Sequence, residues 1–252
     1  MRGELDPYGL QRSRFRKWPI LLAYRSVISR RCVFHATCDA ETEYIRRQFK
    51  RPVRILQIPN YIEIPEEADR QPKGYLLYLG RIHHKKAVDS LIRALALSPE
   101  FLNSDFVLKI AGTGDRSYVD GLKRLAQDLA LTDKIEFLGP VVGEAKQQLY
   151  ADAYWTLMPS HTENFGMVVL ESLAQNTPVL ASKGSPWEDL EREHIGFWVD
   201  NSPESLALKI DEMIRMDPED YNRYRARGRA YVTEKFDVVS NIHLWEGFYS
   251  SL

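Results

Sequence analysis

Between residues 75 and 200, short apolar runs alternate with amphipathic stretches, and that alternation restricts the fold more than any other feature of the chain. Tyr75, Leu76, Leu77, Tyr78 and Leu79 form an apolar run that ends at Gly80, after which Val88, Leu91, Ile92 and Leu95 follow the i, i+3, i+4, i+7 spacing of one helix face. A second run at 106–110 is broken by Gly112 and Gly114, and helical spacing resumes through Leu122, Leu125, Ala126 and Leu129. A third run at 135–138 stops at Gly139-Pro140 and precedes a short helix near 144–151. Runs at 154–159, 178–181 and 196–199, a helix over 166–175, and helices near 203–215 and 218–230 complete the series. Strands that are apolar on both faces and separated by helices predict an α/β fold: a doubly wound, parallel, Rossmann-like sheet.

The ends of the chain read differently. Residues 1–50 look mainly helical, and 53–58 give a single strand. The polar, proline-containing stretch 62–73 suits a linker. One strand and a few helices do not build a second sheet, so residues 1–68 are expected to be a mainly helical remnant of another domain, with the sheet domain beginning at 69. Residues 1–54 hold thirteen Lys and Arg against five Asp and Glu, although the chain as a whole carries a formal net charge of −1, which gives no argument for nucleic acid. Cys32 and Cys38 have neither metal-site nor disulfide-framework spacing and are expected to be reduced. No run approaches membrane-spanning length, and Met1-Arg2-Gly3-Glu4 does not open a signal peptide, so a cytoplasmic location is expected.

In a sheet of order 3-2-1-4-5-6, ligands bind beyond the carboxyl ends of strands 1 and 4, where the winding reverses. Counting from Tyr75, strand 1 delivers Gly80 and Arg81, followed by Lys85 and Lys86 at the next helix's start. Strand 4 delivers Glu163, Asn164, the Phe165-Gly166 amides and Met167, with Glu171 one and a half turns into the following helix. Cations and helix-start amides attract an anion, and carboxylates accept from hydroxyls, so the crevice suits an anionic, polyhydroxylated ligand. Lys85 is open as a substitute for Lys86. Gly112 and Gly114 are equally readable as turn formers and as binders. His83, His84 and His161 lack a third ligand at metal spacing, and no Asp-x-Asp occurs, so no metal is assigned.

These motifs resemble those of the retaining nucleotide-sugar glycosyltransferases of the GT-B fold, in the large family numbered four. Glu163 and Glu171 match its Glu-x7-Glu motif. Residues 79–87 are similar to its Gly-Arg…Lys-Gly diphosphate clamp, with Ala87 where the family usually has Gly. Residues 111–115 and 137–140 look like the two loops flanking the nucleotide base, which brings Leu138 and Val141 into the donor site with Gly112 and Gly114. Residues 184–187 followed by 196–199 resemble a branch that builds bacterial surface polysaccharides, and residues 231–252 resemble the final helix that returns to the N-terminal domain. The resemblance implies Arg81 and Lys86 on the leaving diphosphate, Glu163 on the donor sugar and Glu171 on the ribose. It implies hexosyl transfer with retention from a nucleoside-diphosphate sugar, without metal or other cofactor, to a glycan or lipid-linked acceptor in polysaccharide or lipopolysaccharide synthesis.

The family's Gly-rich phosphate loop and its N-terminal Rossmann half have no counterpart here. A partner chain or domain completing that half, a non-catalytic or split-subunit nucleotide-sugar module, and a related nucleotide-sugar epimerase therefore stand as alternatives. The segment 12–24 mixes Arg12, Arg14, Arg16 and Lys17 with Trp18 and an apolar stripe. It reads either as a domain helix with solvated cations or as a peripheral contact with the inner face of a membrane.

Overall fold

The computed structural model describes residues 32–49, 52–67 and 71–250. The basic segment 12–24 lies outside the described residues, as do the rest of 1–31 and the expected division at 68/69.

The first described unit is β1 (Val33–Ala36), α1 (Asp39–Gln48) and β2 (Arg54–Gln57). β1 and β2 pair in parallel, Val33 opposite Arg54 through Ala36 opposite Gln57. Within the stretch 1–50, read as mainly helical, α1 is a helix, and β1 is a strand that the reading did not include. Val33-Phe34-His35-Ala36 buries alternate residues, Phe34 and Ala36 packing with Ile45 against Phe49, Val53 and Ile55. Four residues carry too little periodicity to stand out locally, and it is the pairing with β2 that makes them a strand.

The main sheet follows as β3 (Tyr75–Leu79), α2 (Val88–Leu97), α3 (Pro99–Asn103), β4 (Val107–Ala111), α4 (Arg116–Asp128), β5 (Ile135–Gly139), α5 (Gly143–Ala151), β6 (Trp155–Met158), α6 (Met167–Ala174), β7 (Val179–Ser182), α7 (Asp189–Arg192) and β8 (Gly196–Val199). Its order is β5-β4-β3-β6-β7-β8, with every neighbouring pair parallel. The winding reverses between β3 and β6, which matches the doubly wound order 3-2-1-4-5-6 counted from Tyr75. Successive strand residues point to opposite faces. Leu76, Tyr78, Leu108, Ile110 and Trp155 therefore pack under α2 and α8 (Pro203–Ile214), against Leu91, Leu95, Leu206 and Ile210. On the other face Met158, Val179 and Ala181 meet Val169 and Leu173 of α6, while Tyr75 and Leu77 meet Tyr150 of α5. Helices on both faces explain why the strands read as unbroken apolar runs.

The chain then runs through α9 (Pro218–Phe236), α10 (Val238–Asn241) and α11 (His243–Ser250). The expected division at 230/231 falls within α9. The chain turns instead at Asp237, whose carboxylate caps α10. There Ile62 N donates to Phe236 O (3.0 Å) and Val238 N to Ile62 O (2.8 Å), joining the linker to the returning segment. Trp245 of α11 meets His35 of β1 edge-on at 4.8 Å. Arg229 donates to Pro65 O (2.7 Å) and Asn176 to Glu67 (2.9 Å), so the polar linker is fastened along α9 and the end of α6.

Candidate functional site

The loops after β3, β4 and β5 continue the parallel ladder beyond the strands. Gly80 N donates to Ala111 O (3.0 Å), Ile82 N to Thr113 O (2.8 Å) and Gly112 N to Gly139 O (2.7 Å). This closeness is what requires glycine. A Cβ on Gly112 (φ 143°) would lie 1.8 Å from Gly80 O, and one on Gly114 would lie 2.1 Å from Ile82 O. Both glycines thus have a packing reason, and any contact they make with a ligand is through backbone. Buried Tyr78 donates to Arg81 O (2.8 Å), anchoring the backbone from which the exposed Arg81 side chain extends. Arg81 has no carboxylate partner among the described residues.

Lys85 and Lys86 occupy a 3-10 turn, His84–Lys86, ahead of α2 rather than the helix itself. The His83 Nδ1 accepts from Lys85 N (3.2 Å), and the His84 ring lies 3.9 Å from that of Tyr118. Both histidines are therefore engaged in shaping the turn. Among the described residues no three His, Cys, Asp or Glu side chains converge as metal ligands. Ala87, which ends the turn, is fully buried and left-handed (φ 49°, ψ 39°). That conformation gives a physical reason for glycine at the equivalent family position.

The loop after β6 is tied down on both flanks. His161 N donates to Lys85 O and Glu163 N to Gly184 O, each at 2.8 Å. A Cβ on Gly184 would lie 2.4 Å from Ser160 O and His161 O. The Asn201 carboxamide spans Pro159 O (3.3 Å) and His161 Nδ1 (2.6 Å). Held this way, Glu163 takes the Lys86 ammonium on Oε2 and Asn164 N on Oε1 (3.2 Å). Asn164 O in turn accepts from Cys38 Sγ (3.4 Å), so the loop after β1 overhangs this site.

The Phe165 side chain is not available to a ligand. It is buried against Trp187 (ring centroids 5.4 Å) and Phe236, and Trp187 Nε1 donates to its carbonyl. Phe165 thus locks Gly166 in place from below. Gly166 is left-handed (φ 81°), and α6 starts beside it with the unpaired first-turn amides of any helix. Glu171, one turn further, pairs with Lys146 Nζ (2.6 Å) and accepts from the Tyr150 hydroxyl (3.0 Å), both on α5. Leu138 is exposed near the end of β5, and Val141 is half-buried in the turn between β5 and α5.

Two ion pairs, Lys86–Glu163 before the α6 N-terminus and Lys146–Glu171 one turn into α6, thus accompany Arg81 on the loop that carries Lys86, a set of groups able to hold an anion and orient hydroxyls beside it. Lys146, Tyr150, Gly184 and Asn201 were not legible as site residues. Lys146 and Tyr150 share one helix face by their i, i+4 spacing, but nothing in the sequence says that this face meets Glu171. Two other concavities lie elsewhere. One of about 550 Å3 surrounds His194, Arg215 and Tyr224 between α8 and α9. The other, of about 530 Å3, lies between Glu63–Glu66 and α5. Neither takes in Arg81, Lys86 or Glu163, so the charged groups at the winding reversal, rather than concavity, make this the candidate site.

Known proteins share this architecture. Anabaena Alr3699/HepE, solved in complex with UDP and glucose, superposes with a TM-score of 0.86 at 21% identity, covering 100% of this chain and 71% of that one. An uncharacterized glycosyltransferase of Methanocaldococcus jannaschii, MJ1607, is 37% identical over 141 residues, 55% of this chain and 35% of its own length. A D-inositol 3-phosphate glycosyltransferase of Thermomonospora curvata is 38% identical over 113 residues, 42% of this chain and 26% of its own length. The matched stretch thus spans about a third or less of these two relatives. Residues 61–231 match the family described as glycosyl transferases group 1, a stretch that takes in the whole of the crevice, and the chain belongs to that GT-B family.

Proposed function

We propose that this chain carries the donor site of a retaining hexosyltransferase, which moves a sugar from a nucleoside diphosphate to a glycan or lipid-linked acceptor in the synthesis of a bacterial surface polysaccharide. The observation that supports this most is the meeting of Lys86 and Glu163 at the point where the sheet winding reverses. The donor diphosphate would take Lys86 and Arg81, leaving Glu163 for the sugar hydroxyls and Glu171 for the ribose. As the anomeric C–O bond breaks, negative charge grows on the diphosphate, and the two cations stand where it develops. Glu163 then holds the sugar as it acquires oxocarbenium character. No metal is assigned to the diphosphate, because Arg81, Lys86 and the α6 amides supply the countercharge.

A second reading is a donor-binding module completed by another domain or chain. The exposure of Val239, Leu244 and Tyr249 on the returning segment favours it. A cytoplasmic location, at the inner face of the membrane where lipid-linked acceptors reside, fits either reading.

Calorimetric titration with UDP, GDP and ADP tests the donor site. Saturable binding of one diphosphate that weakens at least tenfold in Arg81→Ala would support it. Binding unchanged by that substitution would refute the assignment of Arg81. Product analysis with a nucleotide sugar, with and without acceptor, separates transfer from epimerisation.

A further inference from the structure

The cavity of about 550 Å3 between α8 and α9 lies at the amino ends of the strands, opposite to the loops that carry Arg81 and Glu163. His194, in the turn ahead of β8, and Arg215, at the end of α8, form one wall. Asp220, Arg223, Tyr224 and Arg227 form the other, because their i, i+3, i+4, i+7 spacing puts them on one face of α9. That face is fixed in place. The Tyr221 hydroxyl donates to Tyr154 O, just ahead of β6, at 2.7 Å. The half-buried Tyr224 ring rests on the core, 5.7 Å from the rings of both Trp155 and Phe197.

The charges lining this cavity balance in number, three arginines against Glu212, Asp217 and Asp220, but not in pairing. Glu212 is taken by Lys209 (2.6 Å) and Asp220 by Arg223 (2.6 Å), while Asp217 accepts from Glu219 N (2.8 Å) as the cap of α9. The donors are not used up in the same way. Arg215 engages only its Nε, 3.3 Å from Asp211 O and 3.9 Å from Glu100, which leaves its two terminal nitrogens. Among the described residues Arg227 has no carboxylate partner, and neither the His194 ring nor the Tyr224 hydroxyl has a hydrogen-bond partner. Burial, then the charges of Glu212 and Asp220, raise that hydroxyl above the ordinary tyrosine value, so it stays protonated and able to donate. What remains uncommitted is therefore two guanidinium groups, a phenol and an imidazole, a set that suits an acceptor-rich anion. These groups stand on both walls, so the three terminal oxygens of a phosphate reach more of them than the two coplanar oxygens of a carboxylate. The volume is that of a small-molecule site rather than of a bare phosphate.

We infer that this cavity is a second ligand site, remote from the crevice, which takes a small phosphate ester through Arg227, Arg215 and the Tyr224 hydroxyl. A soluble sugar phosphate and a phospholipid headgroup share this chemistry. The inference does not depend on the donor-site reading, because none of its residues belongs to the crevice.

The test is calorimetric titration of the folded full chain with glucose 6-phosphate and with glucose, on wild type, Arg227→Gln, Tyr224→Phe and Arg81→Ala. Sedimentation with phosphatidylcholine vesicles, with and without phosphatidic acid, accompanies it. Wild type is expected to bind the phosphate ester saturably and glucose not at all. Arg227→Gln, at an exposed position that the fold does not need, should weaken binding at least about tenfold, and Tyr224→Phe about fivefold. Arg81→Ala should leave it within about twofold of wild type. Sedimentation that requires both phosphatidic acid and Arg227, without binding of the soluble ester, would support the site with a lipid headgroup as the source. Binding that follows Arg81 rather than Arg227 would put the phosphate in the crevice and overturn the inference. So would a folded wild type that binds neither probe in an Arg227-dependent way.

Discussion

The Lys86 ammonium and the Glu163 carboxylate, 77 positions apart in the sequence, form an ion pair that joins the loop after β3 to the loop after β6. Each side chain is mostly covered, at 21% and 16% exposure, and each is the group its loop offers to a ligand. The free site thus satisfies itself. On the donor-site reading proposed above, a donor would exchange this one contact for two, with diphosphate on Lys86 and sugar hydroxyls on Glu163. Lys86→Ala is expected to lower turnover of a nucleotide sugar by about a hundredfold, the scale of losing one preorganised contact to developing charge. Its stability cost should be about 1–2 kcal/mol, below that of a fully buried pair because water reaches the crevice. Initial rates and thermal melts on the same preparation separate the two effects, and a variant with full turnover would refute the role given to Lys86.

Ala87 accepts a left-handed backbone that disfavours any side chain, by roughly 1–2 kcal/mol for an L-residue. Ala87→Gly relieves this but removes a buried methyl worth about 0.8 kcal/mol and loosens the unfolded chain. The two should offset to within about 1 kcal/mol in urea denaturation. Ala87→Val, branched at Cβ in the same conformation, should destabilise by about 3 kcal/mol.

Gly112 and Gly74 make a matched pair. A Cβ on Gly112 would meet the Gly80 carbonyl, which belongs to backbone and has no rotamer to yield, whereas one on Gly74 meets nothing within 4 Å. Gly112→Ala should cost about 3 kcal/mol and weaken diphosphate binding as the loops after β3 and β4 part. Gly74→Ala should stay within about 0.5 kcal/mol of wild type. Equal denaturation midpoints for the two would show that the loops part freely.

Burial raises the hydroxyls of Tyr75, Tyr78, Tyr150, Tyr221 and Tyr231 above the ordinary tyrosine value. A group whose folded value is raised contributes stability that is fully present below its unfolded value and is lost as pH climbs toward the folded one. Stability should therefore be flat through neutral pH on this account and fall above about pH 10. Tyrosinate absorbance read beside circular dichroism checks it: the buried fraction should ionise only as the helices melt. Smooth ionisation with the helices intact would contradict the burial.

How much of this could be read beforehand depends on the range of the interaction responsible. The six main-sheet strands announce themselves as short apolar runs, and the helices between them through a period of 3.6, because both signals are recorded among near neighbours in the chain. The alternation pointed to a doubly wound sheet, whose common order matches the one observed, and that order brought Arg81 and Lys86 to the same end of the sheet as Glu163 and Glu171, which their own motif had singled out. β1 did not show, because its four residues are a strand only by virtue of β2. Gly112 read equally as a turn or a binder, since its reason is the Gly80 carbonyl from another loop. For Phe165 only the backbone amide was expected at the ligand, and the destination of its ring, against Trp187 and Phe236, was not legible because both partners are distant in the chain.

The sequence by itself thus determined which segments become strands and helices in the sheet domain, and with the common doubly wound order it singled out the loops after β3 and β6 as the ones at the winding reversal. Only the tertiary structure decided what each charged group is paired with: Lys86 with Glu163, Lys146 and Tyr150 with Glu171, Cys38 with Asn164. Hydrophobic periodicity repeats along the chain and is recorded locally. A hydrogen bond between residues 25 or 126 positions apart depends on how the crossovers deliver two loops to one place, and no local pattern carries that information.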